Sequence, residues 1–153
     1  MKTALFPGSF DPITIAHVDI LKRSIPLFDR VVLGIGMNSS KQGFLPIETR
    51  EAIVKSVFKE YANVEIQVYE GLTVEFCKAI GANYMIRGIR SVADFEYERA
   101  IAQINQTMMP NVETIFILSK PEYSAISSTI VRDILRNHGN ASPFLPQEAL
   151  EFL

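Results

Sequence analysis

Three clusters in this 153-residue chain have the residue types and spacing to handle phosphate. The first is Gly8-Ser9 followed by His17. Glycine lets backbone approach a bulky anion, a serine hydroxyl can donate to it, and an imidazole adds a donor of tunable charge. Thr3-Ala4-Leu5-Phe6 reads as a short buried strand, Pro7-Gly8 as the turn that ends it, and His17 falls where an amphipathic helix begins. A strand passing through a glycine turn into a helix start gathers unpaired N–H groups and the positive end of the helix dipole at one point. The loop has neither the lysine and spacing of a Walker loop nor the glycine pattern of a dinucleotide fingerprint. A lone histidine is ordinarily a cap or a packed core residue. Its place after a glycine turn favours chemistry.

The second cluster is Ile86-Arg87-Gly88-Ile89-Arg90, at the end of an apolar strand. Guanidinium groups bind phosphate bidentately and keep their charge at every relevant pH. Surface ion pairing is the plain alternative, with Asp94, Glu96 and Glu98 close enough in sequence to supply partners. The third is Tyr123-Ser124-Ala125-Ile126-Ser127-Ser128-Thr129, ahead of Arg132. Ser127 is a good helix cap, and a run of hydroxyls at a helix start with an arginine nearby suits an anion. Lys41, in the polar loop Asn38-Ser39-Ser40-Lys41, is ambiguous alone. Thr49, Arg50 and Glu51 read as the solvated first turn of a helix, with no chemistry assigned.

The elements that must position these groups alternate along the chain. Strands are expected at Thr3–Phe6, Arg30–Gly36, Val64–Val68, Tyr84–Arg87 and Glu113–Leu118, short and almost continuously apolar, as strands covered on both faces are. Helical spacing joins Val18, Leu21 and Ile25 before Pro26; Ile53, Val57 and Tyr61; and Tyr97, Ile101, Ile104 and Met108 before Pro110. Shorter helices are expected at Thr73–Ile80, stopped by Gly81, and from Ser127 to about Asn137. Five strands alternating with helices make an α/β fold, a single-domain doubly wound five-stranded parallel sheet spanning residues 1–153. In such folds ligands bind beyond the carboxyl ends of the strands, where strand order reverses. The three clusters fall in those loops.

Composition narrows the function classes. Hydrophobic residues make up 48% and the net charge is −2, so the chain is globular, and no global field recruits nucleic acid or an anionic membrane. An anionic ligand then depends on a local cluster of cations. The single cysteine, Cys77, excludes an internal disulfide and reads as a small buried hydrophobe. With no leader, lipidation motif or membrane-length apolar run, a cytoplasmic location is expected.

Together these segments resemble the nucleotidyltransferases with an HxGH-type signature, here Thr14-Ile15-Ala16-His17, and an ISSTxxR-type signature, here Ile126 to Arg132. Within that superfamily the chain is similar to the phosphopantetheine adenylyltransferases. The opening Pro7–Thr14, the block Ile86–Glu98, the stretch Tyr123–Thr129 and Phe144-Leu145-Pro146 carry that likeness in order and spacing. The resemblance implies a Rossmann-like fold and transfer of AMP from ATP to 4′-phosphopantetheine, giving dephospho-coenzyme A and pyrophosphate. It implies that His17 stabilises the transition state, with Lys41 and Arg90 also catalytic. ATP would be held by Ser9, Phe10, His17, Gly88, Ile89, Arg90, Glu98 and Tyr123, Ser124, Ala125, Ile126, Ser127, Ser128 and Thr129. The acceptor would meet Ser9, Lys41, Thr73 and Arg87. Mg²⁺ dependence, a homohexamer and feedback binding of coenzyme A follow from the same resemblance. Three positions depart from the family pattern: Ala16 for glycine, Ser9 for threonine, and Thr73 for an apolar residue. A sister transferase for nicotinamide mononucleotide or a cytidylyl acceptor, and a nucleotide sensor without catalysis, are the competing readings.

Overall fold

A computed structural model describes all of residues 1–153. The elements run β1 (Thr3–Gly8), α1 (Ile15–Ser24), β2 (Arg30–Met37), α2 (Ile47–Phe58), β3 (Val64–Glu70), α3 (Thr73–Ile80), β4 (Tyr84–Ile89), α4 (Val92–Met108), β5 (Glu113–Leu118) and α5 (Ser128–Arg136). The strands form one parallel sheet in the order β3-β2-β1-β4-β5, so strand order reverses at β1. This is the doubly wound architecture expected from the alternation of apolar runs.

The side-chain period of two along β1 splits the core between the faces of the sheet. Ala4 and Phe6 join Ile13, Leu21, Leu33, Ile53 and Val54 on one face, while Leu5 joins Val32, Val74, Cys77 and Met85 on the other. Cys77 is fully buried and apolar in its surroundings, which push its thiol up to about 11. Gly34 in β2 has no side chain because a Cβ there would come within 2.8 Å of Leu5 and 3.1 Å of both Phe76 and Tyr69. Helix starts are capped by the side chains of Thr14, Ser91 and Ser127, and α3 ends on Gly81 in the left-handed region at φ 70°.

Several expected boundaries move. Pro7 and Gly8 are not a turn: they continue β1, paired with Gly34 and Ile35 of β2. Proline is tolerated because β1 has already parted from β4, whose last pair with it is Leu5 with Met85. β4 likewise runs on through Gly88 and Ile89, paired with β5 as far as Leu118. Tyr61 lies beyond the end of α2, its ring tilted against Phe58. In α4 the helical spacing of Tyr97, Ile101, Ile104 and Met108 is correct, but the stripe faces solvent, with Tyr97 69% and Ile104 61% exposed. Glu98 is the one residue of α4 that is buried. Periodicity identifies a face; it does not say what the face looks at.

Candidate functional site

Where β1 and β4 separate, the sheet opens into two adjoining cavities. One, of about 360 Å³, is lined by Ser9, His17, Gly88, Arg90, Ile126, Ser127, Ser128, Thr129 and Arg132 among others. The other, of about 330 Å³, includes Tyr69, Thr73, Met85 and Asn105. Pro7, Gly8, Ser9, Arg87 and Glu98 line both and form the partition.

His17 occupies the third position of α1 in a reciprocal cap with Thr14. The Thr14 backbone N–H donates to His17 Nδ1 at 3.1 Å, and the Thr14 hydroxyl accepts from the His17 N–H. An amide N–H can only donate, so Nδ1 is the acceptor and the ring proton sits on Nε2. Burial, then Arg87 and Arg90, lowers the imidazole from 6.5 to about 4. At neutral pH the ring is therefore an uncharged Nε2–H donor at the cavity wall. His17 is thus a capping residue that also lines the cavity, and the cap selects its tautomer.

Arg87 spans the gap between the strands. Nε and Nη2 donate to the two carboxylate oxygens of Glu98 at 2.9 and 2.7 Å, and Nη1 donates to the Pro7 carbonyl at 2.9 Å. Glu98 is 9% exposed, so this bidentate pair is sheltered. Three of the five guanidinium N–H groups are engaged there. Arg90 pairs with Asp94 at 3.2 Å on the more exposed side. The acidic residues downstream thus do pair with both arginines, yet both arginines still line the opening.

At the start of α5 every hydroxyl of the run Ser127–Thr129 has a structural partner. Ser127 accepts from the Ile130 N–H, Ser128 donates to the Pro12 carbonyl, and Thr129 accepts from Arg132. Arg132 also donates to the Asp11 carbonyl at 3.0 Å. The helix start is thereby fastened to the loop that follows β1. In the second cavity, the hydroxyls of Thr73 and Tyr69 lie 3.0 Å apart, and the Tyr69 ring stacks on Phe76. The departure at Thr73 therefore has a polar partner of its own.

Not every expected residue reaches the cavities. Phe10 and Ile89 are buried behind the wall, and Tyr123, Ser124 and Ala125 lie outside it on the approach to α5. Phe10 adopts φ 45°, unfavourable for a bulky residue by about 1–3 kcal/mol, and turns its ring edge-on to His17 at 5.4 Å. Gly8 makes this possible, since a Cβ there would come within 2.9 Å of the Phe10 ring. Lys41 is exposed on the loop after β2 and lines neither cavity. The imidazole and the two guanidiniums converge as expected; the lysine does not.

The expectation that Arg50 is solvated fails. It is 7% exposed and donates through Nε to the Leu45 carbonyl and through Nη1 to the Ser9 carbonyl. Beside it, Asp11 accepts from the Phe44 and Leu45 N–H groups, both at 2.7 Å. A signal was present: Arg50 stands three, four and seven residues before Ile53, Val54 and Val57, on the buried face of α2.

The chain's side chains offer Mg²⁺ no cage of their own. No three metal-ligating residues cluster, and the carboxylates at the opening, Asp94 and Glu98, are each taken by an arginine. No helix is long and apolar enough to cross a membrane.

A family model described as cytidylyltransferase-like matches residues 5–134. The phosphopantetheine adenylyltransferase of Flavobacterium psychrophilum is 48% identical over 147 residues, covering 96% of this chain and 97% of that protein. Its namesake from Lachnoclostridium phytofermentans is 40% identical over 153 residues, covering 100% of this chain and 94% of that protein. A solved Vibrio parahaemolyticus structure, assigned provisionally to the nicotinate-nucleotide adenylyltransferases, matches with a TM-score of 0.73 at 20% identity and 97% coverage of each chain. At that identity the likeness is one of fold.

Proposed function

The chain belongs to the cytidylyltransferase-like family and, within it, to the phosphopantetheine adenylyltransferases, and on that premise we propose that it transfers AMP from ATP to the phosphate of 4′-phosphopantetheine. The observation that carries this reading is the pair of cavities meeting at Ser9 and Arg87, with a neutral Nε2–H donor on the wall of one of them. Two anionic substrates need two compartments and a shared point where they react.

The acceptor phosphate is already anionic near neutral pH, so no general base is required and no covalent enzyme intermediate forms. One of its oxygens bonds to the α-phosphorus of ATP as the bond from that phosphorus to the β-bridging oxygen breaks. Pyrophosphate leaves with the electron pair. The obstacle is repulsion between polyanions, which positioning and preorganised donors overcome. Arg87 and Ser9, common to both cavities, face the acceptor phosphate. His17 Nε2–H donates to an α-phosphate oxygen as charge builds there. Arg90 and the start of α5 face the departing pyrophosphate. Lys41 adds charge to the acceptor from its exposed loop. Mg²⁺ brought by the nucleotide would add charge neutralisation to that of Arg90 and the start of α5.

The Tyr69–Thr73 cavity would hold the pantetheine arm, and coenzyme A, which bears the same arm, would compete there as a feedback ligand. The exposed stripe on α4 would be covered by further copies of the chain in a homohexamer, and the enzyme would work in the cytoplasm. Pyrophosphate release from ATP, with the adenylylated product identified by mass, tests the reaction. 4′-Phosphopantetheine should support it and pantetheine, lacking the phosphate, should not. Release with neither acceptor, or equally with nicotinamide mononucleotide, overturns the assignment.

A further inference from the structure

Arg50 is a costly residue to bury, and stability alone gives little reason for it. A well-packed apolar side chain serves a helix core as well as or better than a buried charge. Its hydrogen-bond partners belong neither to its own helix nor to the sheet. They are the Ser9 carbonyl, in the loop that leaves β1, and the Leu45 carbonyl, in the loop that leaves β2. Asp11, 4.0 Å away, holds the same second loop by two backbone N–H groups. Gly43 leaves room for the pair, since a Cβ there would come within 2.9 Å of both Arg50 Nη2 and Asp11 Oδ2. One residue past the Ser9 carbonyl, Phe10 is held at φ 45° with its ring against His17.

We infer that Arg50 is a positioning residue for adenylyl transfer: by fixing the Ser9 carbonyl against the loop after β2, it sets the Ser9–Phe10 turn and, through the Phe10 ring, the His17 imidazole. Arg50 lines neither cavity, so it acts through these groups and not on substrate. The inference rests on the reading of the site given above. It adds that the geometry of the β1 loop is imposed from α2, on the side of β1 away from the opening.

The test compares Arg50→Met and Arg50→Lys with Val54→Ala, which hollows the core face of the same helix and removes no hydrogen bond to either loop. Turnover per folded enzyme, KM for each substrate, and amide exchange at Phe44 and Leu45 are measured in all four proteins. Misplacement of reacting groups by an ångström can cost about 100-fold. Arg50→Met should lose roughly 30-fold in kcat with KM for ATP changed by less than about threefold. Millimolar guanidinium should restore part of that loss, and Arg50→Lys, whose donors all sit on a single nitrogen where arginine reaches the two carbonyls from two, should fall between. Val54→Ala should lose stability and keep kcat. Exchange at Phe44 and Leu45 should quicken at least about tenfold in Arg50→Met relative to Val54→Ala. An Arg50→Met enzyme within twofold of the parent in kcat, or a Val54→Ala enzyme equally impaired, overturns the inference. Absence of turnover in the parent overturns the functional reading instead; the exchange data then decide alone, and unchanged exchange in Arg50→Met overturns the positioning role.

Discussion

The two sides of β1 are built to opposite ends. Toward β2, all six residues of the strand pair in register, from Thr3 with Arg30 to Gly8 with Ile35. The loops beyond are sealed by Arg50 and Asp11, whose groups are turned onto backbone. Toward β4, pairing stops after Ala4 and Leu5, and the strands are bridged only by the side chain of Arg87 reaching the Pro7 carbonyl. Charge on the first side is consumed in holding shape. On the second side it stands at a cavity wall, partly paired and partly free. A doubly wound sheet has its crevice where strand order reverses, and here the reversal is also where the ladder is cut short.

The sharpest way to break that contrast is to remove the donor on the open side. His17→Ala should lower turnover by about 10²–10³, the usual cost of one transition-state donor, with a much smaller change in KM for ATP. Steady-state kinetics with both substrates varied will show it, and near-parental turnover would remove His17 from the mechanism. The same residue gives a pH signature. The folded chain holds it at about 4 and the unfolded chain at its ordinary 6.5. Between those values the unfolded state takes up a proton that the folded state refuses, so stability falls as pH is lowered from 6.5 toward 4. At pH 4.5 the loss attributable to this group is about 2–3 kcal/mol. Urea midpoints at pH 7 and 4.5 should therefore drop further in the parent than in His17→Gln, in which other titrating groups are unchanged. Equal drops would mean the ring is solvated and ordinary.

A smaller effect is expected at the partition. Glu98→Ala leaves Arg87 with the Pro7 carbonyl as its one protein partner. Freed from its clamp, the guanidinium should raise KM for the acceptor by about tenfold and cost roughly 1–3 kcal/mol of stability. Glu98→Gln, which retains one acceptor oxygen, should show a milder form of both. If KM for ATP moved instead, Glu98 would act on the nucleotide directly, as the family resemblance implies.

What the sequence made legible divides along the same line. The inner strands β1, β2 and β4 were readable because continuous apolar runs suit a sheet covered on both faces, whereas β3, at the edge, alternates Val64, Ile66 and Val68 with Glu65 and Gln67. His17, Arg87 and Arg90 were readable because their positions follow from neighbours close in sequence. Pro7-Gly8 misled, because the pair signals a turn unless one knows that β4 has already left the strand's side. Arg50 misled more deeply: its partners are the carbonyls of Ser9, far away in sequence, and of Leu45. No local pattern encodes a backbone acceptor, and only its place on the Ile53–Val54–Val57 face hinted at burial. The α4 stripe shows the complementary ambiguity, a correct period facing outward.

Lys41 offers the finest test of the contrast, because it stands on the sealed side yet is proposed to act on the open one. It is exposed, and its loop is anchored at the far end, where Phe44 and Leu45 donate to Asp11. A charge on such a loop works through solvent, where ions at about 0.15 M screen over roughly 8 Å. The Arg87 guanidinium, clamped between two strands, is screened far less. Lys41→Ala should therefore raise KM for the acceptor several-fold at low ionic strength, and the defect should shrink steadily as salt is added. The defect of Glu98→Ala, measured in the same titration, should persist. A Lys41 defect as indifferent to salt as that of the partition would place the lysine inside a closed site during turnover. The loop after β2 would then belong, functionally, to the open side of the sheet.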